Sequence, residues 1–390
     1  MTRRPIKDAT LAVHAASKPR PVARTVNPAI QRGSTVFASS AAALYDGSEQ
    51  TYGRPGLEPQ GALREALSAL VGAKGTYLYP SGLAAITGTL LALLRQGDEV
   101  LAVDCVYDPT RRFCDTLLHR YGVTTRYVDP RISVADLMEL AGPKTRLILL
   151  ESPGSLTYEM QDVPAIAAAA RKRRILTVLD STYGAAVIDK PLDFGVDVFV
   201  QALTKYVGGH ADVFMGAASS RDPTILTRLG VGETQIGWAT SPDDAYQMLR
   251  GLRTLPARLA RHGESALKVG AWLRTQPEVL EVLCPALPTA RDHDLWRRDF
   301  TGANGLLSFV AKPAPESAVL AFLDALEFFG LGFSWGGFES LAINCDPQFV
   351  RRTIKPIFEG PVFRLHIGLE DPGDLIADLR RGLDIYAKTL

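Results

Sequence analysis

The chain has 390 residues, of which 46% are apolar and 22% are charged, a balance typical of a soluble globular protein. Its 43 basic and 42 acidic residues leave a net charge of +1, so no overall field attracts nucleic acid or an anionic membrane, and neither is expected as a partner. This length exceeds one compact core of ordinary size, which predicts a large domain and a smaller one.

Residues 1–55 are predicted to form an irregular N-terminal arm, and no apolar signal segment follows residues 1–5. No apolar run anywhere approaches the ~20 residues that cross a bilayer. The four cysteines are far apart without a CxxC pair, and the six histidines show no HExxH spacing, so neither zinc nor any other metal is predicted. A cytoplasmic protein is therefore expected.

Residues 56–254 alternate short apolar runs with helical patterns, as βα units do. Near-continuous apolar runs such as 146–150 favour a mostly parallel sheet that is covered on both faces. The sequence therefore predicts an α/β large domain built on seven strands. They are predicted at 76–79, 100–104, 125–128, 147–151, 175–180, 196–201 and 213–217, with helices that include 83–94 and 163–173.

Residues 255–390 have a different pattern, helical at first and then mixed, which predicts a smaller α+β domain. Strands are predicted at 306–310, 340–344 and 363–367, and helices at 316–329 and 375–386.

Polar residues stand at the ends of several predicted strands of the large domain. Asp104, Glu151 and Asp180 each close a strand, and Lys205 follows the sixth strand. Because ligands of open α/β sheets bind outside the carboxyl ends of the strands, these side chains are expected to converge on one crevice.

The segment that starts at Pro80 follows a strand and opens a helix. It places the N–H groups of Ser81, Gly82 and Leu83 at a helix N-terminus, where phosphate binds readily. A plain helix cap by Ser81 would give the same pattern. Neither GxxxxGK[ST] nor GxGxxG occurs in this position, which argues against a P-loop and against a nicotinamide-dependent dehydrogenase.

Asp180 and Lys205 complete an ordered trio with this turn. A strand-end carboxylate can keep a pyridinium nitrogen protonated, although an Asp that caps a turn reads the same. A lysine that is partly desolvated beside a cationic cofactor loses its proton more easily, although a lone lysine after a strand is usually solvated. The order of turn, aspartate and lysine predicts pyridoxal 5'-phosphate (PLP).

Taken together, these motifs resemble the Cys/Met-metabolism family of fold-type I PLP enzymes, which have an aspartate-aminotransferase-like fold. The resemblance runs through nearly the whole chain, with Ala202 standing where many members have a phosphate-binding serine. The matching motifs are Tyr52-Gly-Arg54, Ser81-Gly82, Tyr107-Asp-Pro-Thr110, Glu151-Ser-Pro153, Asp180-Ser-Thr182, Thr204-Lys-Tyr-Val-Gly-Gly-His210 and Arg364-Leu-His-Ile-Gly-Leu-Glu-Asp371.

The resemblance implies a role for each matching residue. Lys205 would carry PLP as a Schiff base and then act as general base, while Asp180 would hold the ring nitrogen and Tyr107 would stack on the ring. The remaining cofactor contacts would come from Ser81, Gly82, Leu83, Thr182 and Thr204 and, from a neighbouring subunit, Tyr52 and Arg54. The substrate carboxylate would be bound by Arg364 and Ser334, in a pocket shaped by Trp335 and Tyr107. A homo-oligomer, expected to be a tetramer made of two dimers, would follow.

Within the family, the segment from Ser334 to Leu341 is similar to the signature of bacterial cystathionine beta-lyases. The resemblance implies β-elimination of L-cystathionine to L-homocysteine, pyruvate and ammonia in methionine biosynthesis. The alternatives are a cystathionine γ-lyase or γ-synthase, or a cysteine desulfhydrase. The proton for the leaving thiolate could come from Lys205 or from a tyrosine, either Tyr107 or Tyr52.

Overall fold

The computed structural model describes residues 6–16 and 25–389, so residues 1–5 and 17–24 of the predicted arm lie outside the described part. Within that part no helix is both long and apolar enough to span a membrane. The helices are α1 (Asp8–His14), α2 (Glu58–Val71), α3 (Gly82–Leu93), α4 (Asp108–Phe113), α5 (Val134–Leu140), α6 (Val163–Lys172), α7 (Pro223–Leu229), α8 (Pro242–Leu273), α9 (His293–Asp299), α10 (Glu316–Asp324), α11 (Asp346–Phe349) and α12 (Pro372–Ala387). The strands are β1 (Gly75–Tyr79), β2 (Glu99–Val103), β3 (Thr124–Val128), β4 (Thr145–Glu151), β5 (Leu176–Asp180), β6 (Val198–Ala202), β7 (Gly216–Ser220), β8 (Val279–Leu283), β9 (Leu306–Ala311), β10 (Gly330–Leu331), β11 (Leu341–Asn344) and β12 (Val362–His366).

The large sheet has seven strands in the order β1-β7-β6-β5-β4-β2-β3. All its pairings are parallel except those of β7, which runs antiparallel to both β1 and β6. The predicted mostly parallel α/β sheet is confirmed. Strand β7 begins at Gly216 rather than at the predicted residue 213, because Gly216 pairs with Ala202, the last residue of β6; the backbone of the preceding Met215 bonds to the side chain of Thr204 instead.

The small sheet has five strands in the order β10-β11-β12-β9-β8. The three predicted strands are β9, β11 and β12, whereas β8 and β10 were missed. Strand β10 has only two residues, and β8 carries Glu281 and exposed positions, so neither shows an apolar run. Helix α10 ends at Asp324, five residues before the predicted end.

Helix α8 has 32 residues and runs across the predicted boundary at 254/255. Its first half packs in the core of the large sheet, up to Leu259, and its second half packs in a separate core of the small sheet, from Ala266 onward. The division into an arm, a large and a small domain stays a prediction, with α8 as the element that the two cores share.

Candidate active site

Two carboxylates stand side by side at the carboxyl edge of the large sheet. Asp180 ends β5 and Glu151 ends β4, and the two residues are direct partners in the parallel register. Asp180 accepts hydrogen bonds from the backbone N–H (2.9 Å) and the hydroxyl (2.6 Å) of Thr182. Burial raises the pKa of Asp180, and these hydrogen bonds oppose the rise. Proximity to a second carboxylate adds to the effect of burial and raises the pKa of Glu151 well above its ordinary value.

Lys205 lies in the turn that follows β6, the strand next to β5. Its backbone N–H bonds to the carbonyl of Ala202 at 3.2 Å, and its carbonyl accepts from Gly209 at 2.8 Å, so the backbone is fixed on both sides. Burial, with the positive charge of Arg364, lowers the pKa of Lys205 to about 8, while Asp180 opposes the shift. With a pKa of about 8, roughly a tenth of this amine is neutral at pH 7, far more than for an ordinary lysine, so it can act as a nucleophile and a base.

A loop that precedes β11 covers the end of the Lys205 side chain. The Lys205 Nζ donates to Ser334 Oγ at 2.6 Å, and it lies 5.3 Å from the centroid of the Trp335 ring. Ser334 and Trp335 belong to the small-domain part of the chain, so both halves of the molecule meet at this amine. The predicted grouping of Lys205 with Ser334 and Trp335 is present in the structure.

Arg364, in the middle of β12, is a buried cation without a carboxylate partner among the described residues. It is only 5% exposed, its Nε has no hydrogen-bond partner there, and its one hydrogen bond among those residues is a long contact of 3.5 Å to the carbonyl of Gly332. Burial lowers the pKa of Arg364, yet a guanidinium stays charged. Its positive charge also lowers the pKa of Lys205. Such a group is suited to an anion that arrives with a ligand.

The start of α3 lies against the end of β6. Ser81 caps the helix through a bond of 3.0 Å from Ala84 N, which leaves the N–H groups of Gly82 and Leu83 in the first turn, where helices have free donors. A Cβ on Gly82 would come within 2.9 Å of the Ala202 backbone, so glycine allows this close approach. The predicted phosphate turn is therefore next to the strand that leads to Lys205.

Two threonines of the predicted cofactor shell have partners within the protein. Thr182 accepts from the backbone N–H of Ala202 at 3.0 Å, which ties the ends of β5 and β6 together. The hydroxyl of Thr204 donates to the carbonyl of Met215 at 3.1 Å and accepts from its N–H at 3.0 Å. A phosphate contact by the Thr204 hydroxyl would have to replace the bond that it donates to Met215.

Tyr107 precedes α4 at the same sheet edge, and its side chain is 43% exposed. Its backbone N–H donates to Glu151 Oε2 at 2.7 Å. Burial of the phenol raises the pKa of Tyr107, and the charges of Glu151 and Asp180 raise it further. The phenol consequently keeps its proton at neutral pH.

Tyr52 and Arg54 stand apart from the other predicted residues. They line a cavity of about 410 Å³ together with residues 31–34, 239–240 and 242–243, and the Arg54 guanidinium lies 5.5 Å from the Tyr52 ring centroid. Within the described residues, neither side chain forms a hydrogen bond or an ion pair with Lys205, Asp180 or Arg364.

Sequence reasoning placed Glu151 at the crevice but gave it no role, and it gave none to His366. Glu151 holds the backbone of Tyr107, as its place at a strand end could have indicated. His366 lies two residues after Arg364 in β12 and bonds to the loop that covers Lys205. No spacing in the sequence relates residue 366 to that loop.

Comparisons with known proteins identify the family of the chain and several relatives. Residues 9–384 match the model of a family described as Cys/Met metabolism PLP-dependent enzymes. The chain is 42% identical to the cystathionine beta-lyase MetC of Escherichia coli K12 over 92% of this chain and 93% of that protein. It is 41% identical to the cystathionine beta-lyase of Bordetella avium over 93% of each chain. Among solved structures, a cystathionine gamma synthase from Xanthomonas oryzae in complex with aminoacrylate and cysteine superposes with a TM-score of 0.92, at 33% identity, over 99% of this chain and 100% of that one.

Proposed function

The chain belongs to the Cys/Met metabolism family of PLP-dependent enzymes, and from that membership we propose that it is a carbon–sulfur lyase that cleaves L-cystathionine by β-elimination. With one water, the products are L-homocysteine, pyruvate and ammonia, and the reaction serves methionine biosynthesis. Relatives named cystathionine beta-lyase cover more than nine-tenths of the chain. The structural observation that carries the proposal is the Lys205 amine in the turn after β6: burial and the charge of Arg364 lower its pKa to about 8, Asp180 opposes the shift, and Arg364 has no carboxylate partner among the described residues.

The residues at the sheet edge fit PLP. Lys205 offers a nucleophilic amine, Asp180 offers a buried carboxylate for a ring nitrogen, and the first turn of α3 offers free N–H donors for a phosphate. We assign cofactor contacts to Ser81, Gly82, Leu83, Thr182 and Thr204 in addition. When bound, PLP withdraws electrons from the substrate Cα, which makes its proton acidic and allows a leaving group on Cβ to depart.

Arg364 binds and orients the substrate in this proposal. Its guanidinium has no carboxylate partner within residues 6–16 and 25–389, so a substrate α-carboxylate can take both of its parallel N–H donors. Ser334, which already accepts from the Lys205 amine, lies beside this position and helps to place the same carboxylate, and Trp335 forms the pocket wall.

Lys205 and Tyr107 move the protons. The neutral amine of Lys205 takes the proton from the substrate Cα, because its lowered pKa leaves it free to accept one. The leaving thiolate then needs a proton on sulfur. Tyr107 can supply it, since its raised pKa keeps the phenol protonated, and the Lys205 ammonium is the second candidate donor. Tyr52 from a neighbouring subunit is the third.

We further propose that the active form is a homotetramer of two dimers, in which Tyr52 and Arg54 complete the site of a neighbouring subunit. Both residues are exposed here, and the same segment presents Phe37 at 94% and Tyr45 at 87% exposure, large apolar surfaces that an interface would cover. A hybrid test is decisive for the shared site. Inactive K205A and Y52A/R54A proteins should regain activity when their subunits are mixed, and no recovery would exclude it. Sedimentation of the holoenzyme separates dimer from tetramer.

We place the enzyme in the cytoplasm. All four cysteines are buried free thiols, which suits a reducing compartment. Fractionation of the native cells tests this assignment, and recovery of the protein outside the cytoplasmic fraction would contradict it.

A product assay tests the activity. Holoenzyme incubated with L-cystathionine should yield pyruvate and homocysteine in equal amounts, and K205A should yield neither. Formation of 2-oxobutyrate and cysteine would instead identify a γ-lyase, the alternative favoured by the likeness to a gamma synthase structure. Cysteine itself, with a thiol on Cβ, should release pyruvate and sulfide as a side reaction.

A further inference from the structure

The loop that covers Lys205 has an uncommon backbone conformation. Ser334 has a φ of +85° and Gly336 a φ of +87°, in the left-handed region that side chains other than glycine rarely adopt. For Ser334 this conformation is strained, so other contacts must offset its cost.

Gly336 is pressed against the backbone of Lys205. A Cβ at this position would lie 2.8 Å from the carbonyl carbon of Lys205 and 2.8 Å from the nitrogen of Tyr206, so only glycine permits the contact. The Ser334 hydroxyl and the Trp335 ring are thereby held over the amine. The position of Gly336 consequently decides whether Ser334 can reach Lys205.

The imidazole of His366 bonds to this loop at two points. Its Nε2 accepts the N–H of Gly336 at 3.0 Å, and its Nδ1 lies 3.0 Å from the carbonyl of Glu339. An N–H faces Nε2 and a carbonyl faces Nδ1, so only the neutral tautomer that carries its proton on Nδ1 satisfies both bonds. One ring thus ties together residues 336 and 339 of the loop.

The surroundings of His366 favour that neutral form. The ring is fully buried, and burial lowers its pKa well below the ordinary value. The charged and titratable groups around it are His262 on α8, Arg364 on the same strand, Lys205 and the phenol of Tyr206, whose ring centroid is 5.9 Å away. The three basic groups all oppose a positive charge on His366. Protonation would place an N–H against the Gly336 N–H and break the bond.

We propose that His366 is a positioning residue that holds the 334–336 loop on Lys205, so that the Ser334 hydroxyl stays bonded to the amine that captures PLP. This proposal rests on the proposed function for its biological meaning. Its test does not need the substrate, because the readout is the rate at which cofactor-free protein captures pyridoxal phosphate at Lys205. If the wild-type protein showed no lyase activity, only the proposed function would be contradicted, and the capture experiment would still test the role of His366.

Two substitutions separate the bonds of the ring. H366Q can present an amide oxygen where Nε2 stood, whereas H366N keeps a donor for Glu339 and loses the acceptor for Gly336. We expect H366N to slow capture about five- to tenfold, the value of one hydrogen bond, and H366Q to restore most of the rate. H262N is the matched control, because it retains a donor for the carbonyl of Ile367, which lies 2.8 Å from Nδ1.

A double-mutant cycle with S334A distinguishes positioning from general loss of structure. If His366 acts through the Ser334 hydroxyl, H366N should slow capture no further in an S334A background. The proposal would be overturned if the effects of H366N and S334A on the capture rate multiplied. It would also be overturned if H366Q or H262N captured the cofactor as slowly as H366N. Should H366N fail to fold, the same cycle is run with H366M, which fills the space without bonding, against H366Q.

Discussion

Two arginines of similar burial have opposite environments, and the contrast separates structure from function. Arg352, 8% exposed, bonds to Glu159 at 3.3 Å, to the hydroxyl of Thr157 at 2.9 Å and to the carbonyl of Ser155 at 2.7 Å. Arg364, 5% exposed, has only a long contact to a carbonyl in the part of the chain that the structure describes. A buried charge normally requires a partner, so an unpaired one marks a place where a ligand supplies it.

The paired charges belong to a joint between the two halves of the chain. Next to Arg352, the backbone N–H of Ile354 donates to the Asp104 carboxylate at 2.8 Å, and that carboxylate also pairs with Arg111. Arg351 bonds to Asp108 at 2.6 Å. Residues 351–354 thus bond to Asp104 and Asp108, which lie on either side of Tyr107 in the sequence. In the crevice, by contrast, Arg364 has no carboxylate partner among the described residues.

The largest effect is expected for Lys205→Ala, which removes the central group of the open crevice. Turnover of cystathionine should fall by about 10⁴-fold or more, because both the covalent link and the base are lost. Borohydride reduction followed by peptide mapping should show the PLP adduct on Lys205 in the wild type and on no residue of the variant. The exposed Lys268→Ala is the control and should behave as wild type. An adduct on another lysine would contradict the assignment.

Arg364→Met tests the unpaired arginine. The variant loses the guanidinium that binds the substrate carboxylate. This loss should lower kcat/KM about 1,000-fold, or ~4 kcal/mol, mainly by raising KM. Since no buried acid is left unpaired, the urea midpoint should stay the same or rise. A large loss of stability with little kinetic change would mean that Arg364 is structural.

Arg352→Met is the mirror experiment at the joint. It leaves Glu159 buried without its cation, so the free energy of unfolding should fall by about 3 kcal/mol. Activity below the unfolding transition should change much less than in R364M. Urea unfolding of R352M and R364M side by side provides the measurement, and equal stability of the two would remove the distinction between paired and unpaired charges.

The sequence predicted the residues at strand ends but not the contacts between residues that are far apart in the chain. Lys205, Asp180 and the turn at Ser81 sit at strand ends, and parallel strands bring their ends together whatever the details of packing. The bond from His366 to Gly336 and the pair of Arg352 with Glu159 join residues 30 and 193 positions apart. Such contacts depend on the packing of side chains in three dimensions, which no local pattern encodes. The sequence could therefore identify Lys205 and Arg364 as cations of the site, but it could not show which buried cations have a carboxylate partner.

The smallest effect concerns the proton on Lys205 and tests how open the crevice is. Because its pKa is lowered to about 8, the amine is mostly neutral above that pH and mostly charged below it. Capture of pyridoxal phosphate by cofactor-free protein should therefore rise tenfold per pH unit below 8 and level off above, whereas an ordinary lysine would continue to gain until ~10.4. Between these two values the unfolded chain binds a proton that the folded protein does not, so stability should increase with pH in that window.

Two variants should shift the midpoint pH of this capture profile in opposite directions. Arg364→Met removes a positive neighbour and should raise the midpoint, while Asp180→Asn removes the carboxylate that favours the charged amine and should lower it. Stopped-flow absorbance across pH 6 to 11 measures all three proteins. A wild-type midpoint near that of a free lysine, or shifts of the same sign in both variants, would mean that the charges of Arg364 and Asp180 do not act on Lys205. The unpaired arginine would then lose its influence on the reacting amine and keep only its part in binding a carboxylate.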